Sequence, residues 1–130
     1  MRHRKSGRKL SRKTAHRKAL MSNLALALIT HKKIKTTDAK AKELRSYIEP
    51  LVTRAKKGDI HSRRQVLKKI PHKSTVRELF DVVAPAFSER NGGYTRITKL
   101  GFRDNDCAPL SIIEFVDFVN NITSEEQAEK

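Results

Sequence analysis

No aspartate or glutamate precedes Asp38, while the same stretch carries Arg2, Arg4, Lys5, Arg8, Lys9, Arg12, Lys13, Arg17, Lys18, Lys32, Lys33 and Lys35. Nothing inside residues 1–37 can neutralise that charge. Lys, Arg, His, Ser and Thr dominate the first eighteen residues. Ordering a backbone costs roughly 1–2 kcal/mol per residue, which a segment this poor in apolar surface cannot offset alone. Residues 1–18 are therefore expected to stay disordered until a polyanion orders them, and the compact part of the chain must be built from residue 19 onward. Two blander readings exist: a merely solvated basic tail, and a transit peptide, which is also Arg-rich and acid-poor. The charge is too dense to leave an amphipathic apolar face, which argues against the second.

With 130 residues, 37% of them hydrophobic, the chain suffices for one compact domain with an ordinary core. The expected organisation is a basic extension over residues 1–18 that continues into the first helix, a compact domain over 19–119, and an acidic, disordered tail over 120–130. A net charge of +15 and a pI near 10.4 imply a polyanionic partner, nucleic acid before an anionic membrane. Membrane-surface helices usually carry Trp or Phe on their apolar face, and this chain has no Trp. No apolar run approaches the roughly 18 residues of a membrane span, and no signal-peptide core is visible. The expectation is a soluble, cytoplasmic protein. Cys107 is the single cysteine, which excludes an internal disulfide and a thiolate zinc site and suggests a small buried or half-buried residue. His3, His16, His31, His61 and His72 lack the paired spacing of a helix-borne metal site. No metal or other cofactor is expected.

The first helix is expected from an N-cap at Ser11 to about His31, because Ala15, Leu20, Met21, Leu24, Ala25, Leu28 and Ile29 recur at three- and four-residue steps. Arg12, Lys13, Arg17 and Lys18 crowd its first turns, and cations there oppose the helix dipole by roughly 0.3–1 kcal/mol each. The broken local rule points to an anionic partner, so the front half is expected to bind and the back half to pack. Lys33 to Thr37 alternates as a short strand, and Thr37-Asp38 opens a second helix with an apolar stripe of Ala41, Leu44, Ile48, Leu51, Val52 and Ala55. Pro50 should kink that helix or loosen its last two turns, and Gly58 suits its C-terminal cap. Asp59 caps a third helix, to about Ile70, that buries Val66, Leu67 and Ile70. A fourth opens with Thr75 and Glu78 in capping-box spacing, buries Val76, Leu79, Phe80 and Val83, and ends around Pro85 to Glu89.

Beyond the Arg90-Asn91-Gly92-Gly93 turn the period changes to two. Tyr94 to Leu100 and Leu110 to Val116, with room to run on to Val119, read as strands. The fold expected is α+β: about four helices packed on one face of a small three-stranded sheet. The Gly92-Gly93 turn is also a candidate phosphate contact, since two glycines let backbone N–H groups converge on an anion, Arg90 and Arg96 add charge, and Tyr94 offers a flat face to a base. A glycine pair in a hairpin is equally a purely structural device. No phosphate-binding loop, carboxylate pair or nucleophilic triad accompanies it, so neither catalysis nor a small-molecule substrate has residues to stand on.

Four blocks together resemble a known family. Met1-Arg2-His3-Arg4-Lys5 through Gly7-Arg8-Lys9-Leu10, Ala15-His16-Arg17-Lys18-Ala19-Leu20, Lys35-Thr36-Thr37 with Ala39-Lys40-Ala41-Lys42-Glu43-Leu44-Arg45, and Arg90-Asn91-Gly92-Gly93-Tyr94-Thr95-Arg96-Ile97 look like the bacterial large-subunit ribosomal protein seventeen family. The blocks fall in the right order and spacing between residue 1 and about residue 119. The resemblance implies a non-catalytic component of the large ribosomal subunit in the cytoplasm, bound to ribosomal RNA near the outer end of the peptide exit tunnel beside neighbouring large-subunit proteins. It carries RNA contact to Arg2, His3, Arg4, Lys5, Arg8, Lys9, Arg12, Lys13, His16, Arg17 and Lys18. On the domain side it adds Lys35, Thr36, Thr37, Lys40, Arg90, Tyr94 and Arg96. Pro50 departs from the family pattern, as does Asp104-Asn105-Asp106, where Arg and Gly are usual, so that loop is not expected to touch RNA.

Phosphates should dominate such binding, because the deep, narrow major groove of structured RNA is poorly read by side chains. The alternative from another class is a nucleoid-type DNA-binding protein, which charge and size also suit, though no dimer-forming or groove-entering signature is visible. An RNA-modifying enzyme would need a cofactor pocket.

Overall fold

The computed structural model describes His3, residues 7–116 and Phe118; Arg2, Arg4, Lys5 and the acidic tail lie outside the described residues. Helix α1 runs Thr14–His31. Its expected N-cap at Ser11 is not used, because Leu10 and Ser11 both adopt left-handed backbone (φ 56° and 54°), and the helix starts three residues later behind an uncapped Lys13. The helix divides as its charge suggests. Ala15 is exposed and Leu20 only half-buried, and burial begins at Met21, continuing with Ala25, Leu28 and Ile29.

Strand β1 (Lys33–Thr37) leads directly into α2 (Asp38–Lys57). Asp38 anchors that corner: its carboxylate accepts from Ser111 Oγ at 2.8 Å and lies 3.0 Å from Lys42 Nζ. The bonds from Lys42 and then Ser111 hold its pKa below the ordinary carboxylate value. All six residues of the expected α2 stripe are buried, and Gly58 ends the helix in the left-handed region at φ 72°, where a glycine carries no Cβ penalty. The loosening expected after Pro50 does not occur, since α2 continues as one helix to Lys57. Pro50 lies on the exposed side, where its ring meets solvent rather than the core. It still removes the bond to the Ser46 carbonyl, so Pro50→Ala is expected to raise stability by about 1–3 kcal/mol in chemical denaturation.

Asp59 caps α3 (Ile60–Lys69), accepting from Ser62 N at 2.7 Å, as the sequence suggested. Helix α4 (Lys73–Glu78) is capped differently from expectation. His72 Nδ1 takes the Thr75 N–H at 3.4 Å and the Thr75 hydroxyl at 2.8 Å, so the Thr75/Glu78 capping box does not form. Glu78 instead accepts from Lys32 Nζ, tying the end of α1 to α4. The helix continues into a π-helical turn at Leu79–Val83 and then α5 (Ala84–Ala86).

The sheet has order β1-β3-β2 and is antiparallel throughout, with β2 at Thr95–Phe102 and β3 at Pro109–Phe115. The last strand stops at Phe115 rather than running on to Val116 or beyond. Ser111, Ile113 and Phe115 alternate inward on β3, each fully or almost fully buried, and meet α2. Helix α2 covers the inner face of the sheet, α1 meets it at β1, and α3 and the α4–α5 segment pack behind them on α1 and α2. Cys107 does not fit the buried role expected of it: it is exposed, at φ 56°, on the β2–β3 hairpin. In that hairpin Arg103 grips Asp106 with two bonds, Nε–Oδ1 at 2.8 Å and Nη2–Oδ2 at 2.5 Å. These bonds pull the Asp106 pKa from 3.8 to about 2. A depressed carboxylate pKa contributes stability above the unfolded value that is lost as pH falls through the folded one. The hairpin is thus expected to stay clamped from neutrality to below pH 3, its carboxylate chemical shift titrating with a midpoint near 2.

Candidate nucleic-acid interface

The cationic residues fall into two groups along α2. The first gathers at that helix's start. Arg8 Nη1 lies 3.0 Å from Glu43 Oε1, and Glu43 Oε2 comes within 3.5 Å of where a Cβ on Gly7 would sit, so the root of the extension rests beside α2, one turn from Lys40. Leu10 packs against the core from above. Lys35 is exposed, and Thr36, Thr37 and Lys40 are half-buried nearby. Strand alternation puts Lys33, Lys35 and Thr37 on the sheet face away from the helices.

The front of α1 continues this group. His3, Arg8, Lys9, Lys13, His16 and Lys18 are exposed, and the helix has neither an acid in its first turn nor a side chain on its N-cap. Four orphan N–H groups and the positive end of the dipole thus open among cations. Arg12 and Arg17 are instead folded onto the junction: Arg12 Nη1 donates to the Leu10 carbonyl at 2.5 Å and Arg17 Nη1 to the Arg12 carbonyl at 3.3 Å. Arg12 Nε is buried with no hydrogen-bond acceptor within the described residues. A donor left so costs about 1–3 kcal/mol, which favours turning the guanidinium toward an external acceptor.

The second group lies at the other end of α2. Lys40 and Lys56 are sixteen residues apart, or roughly 24 Å at the helical rise, and Lys56 Nζ reaches the Arg90 carbonyl at 2.5 Å. Arg90 Nη1 donates to the Gly93 carbonyl at 3.4 Å. Arg96, with its side chain 56% exposed, stands 3.7 Å from Glu114. Both glycines hold positive φ, 141° and 60°, which explains why the turn uses them. The free ring face expected of Tyr94 does not exist. Tyr94 is 1% exposed, lies 5.1 Å from Phe87 and 5.3 Å beneath Lys56 Nζ, and shares its hydroxyl with Thr53 at 3.2 Å. It anchors the turn to α2 and offers nothing to a base.

Two acids shape these groups, and sequence reasoning passed over both. Glu43 is invisible as a partner because its cation lies 35 residues away. Glu114 carried a signal: a lone acid in the apolar run Leu110 to Val116 must be paired if buried. It is 6% exposed on the central strand, between Lys33 at 3.9 Å and Arg96 at 3.7 Å on the two edge strands. One carboxylate offsets only one of these two cations, so with the exposed Lys35 the open sheet face stays net positive. No helix among the described residues is long and apolar enough to cross a membrane.

Exposed cations gathered at an uncapped helix start on a small basic α+β domain are the features of a polyanion-binding class of protein. Within that class, the family described as ribosomal protein L17 matches residues 20–116. A large ribosomal subunit protein bL17 from Allorhizobium ampelinum is 55% identical over 117 residues, covering 90% of this chain and 83% of its own length. Proteins of the same name from Pelobacter propionicus and Geobacter sulfurreducens are 55% and 54% identical over the same share of this chain, covering 92% and 67% of their own lengths. The chain belongs to the ribosomal protein L17 family.

Proposed function

We propose that this chain is a structural, non-catalytic constituent of the large ribosomal subunit, held to ribosomal RNA mainly by phosphate contacts. The observation that carries the reading is the start of α1, where an uncapped helix end without an acid in its first turn opens among the exposed Lys13, His16 and Lys18. Such an end is unfavourable in isolation and favourable against phosphate. Arg2, His3, Arg4, Lys5, Arg8, Lys9, Arg12, Lys13, His16, Arg17 and Lys18 form the arm that enters RNA. Lys35, Thr37 and Lys40 continue the same surface beside the root of the arm, Thr36 lies on the opposite, helix-facing side of β1 with Ser111, and Arg90 and Arg96 supply a second, separate contact. The family resemblance supports a place near the outer end of the exit tunnel, in the cytoplasmic ribosome, beside neighbouring large-subunit proteins.

Salt dependence tests this reading. If the arm neutralises about six to nine phosphates, log affinity for large-subunit RNA should fall against log salt with a slope between roughly −4 and −8. A slope near zero, or equal affinity for duplex DNA in competition, sinks the reading; the second result favours a nucleoid-type DNA-binding protein.

A further inference from the structure

The far tip of the β2–β3 hairpin has a chemistry unlike the rest of the chain. Phe102 is 72% exposed and Leu100, two positions earlier, 47% exposed, in a protein whose Phe80, Phe87 and Phe115 are buried and whose Phe118 packs on the core. The pairing register shifts between Lys99, opposite Ser111, and Gly101, opposite Leu110, so Leu100 is an inserted residue. That insertion reverses the alternation of β2. Phe102 then pairs with Pro109 and lies on the same side of the sheet as Ser111 and Ile113, past the cover that α2 gives them. Gly101 accommodates the insertion at φ 122°. Bulges of this kind re-aim a side chain, and here the side chain re-aimed is a solvent-exposed aromatic.

The tip beyond it is fixed before any partner arrives. Arg103 N donates to the Ala108 carbonyl at 2.9 Å and Cys107 N to the Arg103 carbonyl at 3.0 Å. The Asp106 carboxylate holds both the Arg103 guanidinium and Ala108 N, the latter at 3.2 Å. A preformed loop binds without an ordering cost. Its charge is also inverted. Residues 100–110 contain Arg103 against Asp104 and Asp106 in a chain of net +15, and with Arg103 committed to Asp106, the exposed Asp104 gives this tip a negative end. RNA phosphates are repelled by that charge and gain nothing from an exposed phenyl ring and isobutyl group.

We infer that the hairpin tip is a protein-docking surface, and that its occupant is a basic polypeptide segment placing an apolar side chain against Phe102 and Leu100 and a lysine or arginine against Asp104. The inference rests on the ribosomal reading above, because a particle of RNA and basic proteins is where such a segment would be met. The anchor chemistry suits an interface, since phenylalanine is enriched at the cores of protein interfaces and charged residues belong to their rims.

The test places p-benzoylphenylalanine at Phe102 in the full chain, and in a separate chain at Lys18, assembles each into large subunits, and irradiates the purified particles. The expected adduct from position 102 is a lysine- and arginine-rich peptide of another protein, and from position 18 it is RNA. Leu100→Lys, which removes the apolar contact and sets a like charge against the basic segment, should reduce the position-102 protein adduct at least fivefold while leaving the Tm of the free protein within about 2 °C, because Leu100 is half in solvent. An RNA adduct, an acidic peptide or no adduct from position 102 overturns the docking surface and leaves the ribosomal reading standing if position 18 still reaches RNA. Loss of the position-18 adduct, or absence of the chain from the particles, overturns that reading itself and this surface with it.

Discussion

A chain lacking residues 2–18 should fold and yet be almost absent from purified large subunits, at less than a tenth of the normal stoichiometry. Folding survives because burial starts at Met21. The truncation removes the half-buried Leu10 contact and the Arg8–Glu43 pair, whose arginine is 48% exposed. A partly buried leucine and a surface ion pair together contribute about 1–2 kcal/mol, a minority of the roughly 5–15 kcal/mol that stabilises a domain. Assembly fails because the same cut removes Arg2, Arg4, Lys5, Arg8, Lys9, Arg12, Lys13, Arg17 and Lys18, and each cation that releases a counterion from RNA steepens and strengthens binding. Changing those nine residues to Gln, with length preserved, should give the same loss, which separates charge from mere reach. The measurement is the abundance of each variant in gradient-purified subunits beside circular dichroism of the free protein. Normal incorporation of either variant would remove the arm from the centre of the account.

The division between what the residues disclosed and what they did not tracks the range of the interactions. The stripe of α2, the left-handed cap at Gly58, the Asp59 cap and the three strands are local patterns, each set by neighbours within four residues, and all of them stand in the structure, whereas in α3 Val66 and Ile70 are buried and Leu67 only half-buried. The start of α1 escapes a local reading because Leu10 and Ser11 take left-handed backbone, a conformation their residue types do not favour, while Leu10 packs against the core. The Thr75/Glu78 box is a sound local motif overridden from a distance: Lys32, 46 residues earlier, takes Glu78, and His72 supplies the cap instead. At the candidate site the cationic members could be read as a composition, but their grouping could not. Arg8 beside Glu43, Arg96 beside Glu114 and Tyr94 sealed under Lys56 are contacts between residues 18 to 38 positions apart. Tyr94 fails as a base-stacking candidate for a physical reason available only in three dimensions, since a tyrosine next to a glycine turn is as good an anchor as a platform.

The same tertiary seal makes Phe87 the most damaging single truncation expected in the core. Its ring is fully buried and sits 5.1 Å from Tyr94, 5.8 Å from Phe115 and 6.1 Å from Phe118, so it joins the end of the helical layer to the central strand and to the Arg90–Arg96 turn. Removing a buried phenyl group costs the lost transfer energy together with the cavity left behind, about 3–5 kcal/mol for Phe87→Ala, and aromatic partners add roughly 0.5–1.5 kcal/mol of edge contacts. At the unfolding entropy usual for a chain of this size, that lowers Tm by roughly 10–20 °C. Scanning calorimetry should find the loss, while Phe87→Leu, which keeps apolar volume, should recover about half of it. Below the lowered Tm the arm is untouched, so RNA affinity measured there should change less than about threefold with an unaltered salt slope. A Tm shift under about 3 °C would mean that the ring is not the joint between these layers. A large fall in RNA affinity with the fold intact would mean that the second contact, at Arg90 and Arg96, carries far more of the binding than the arm.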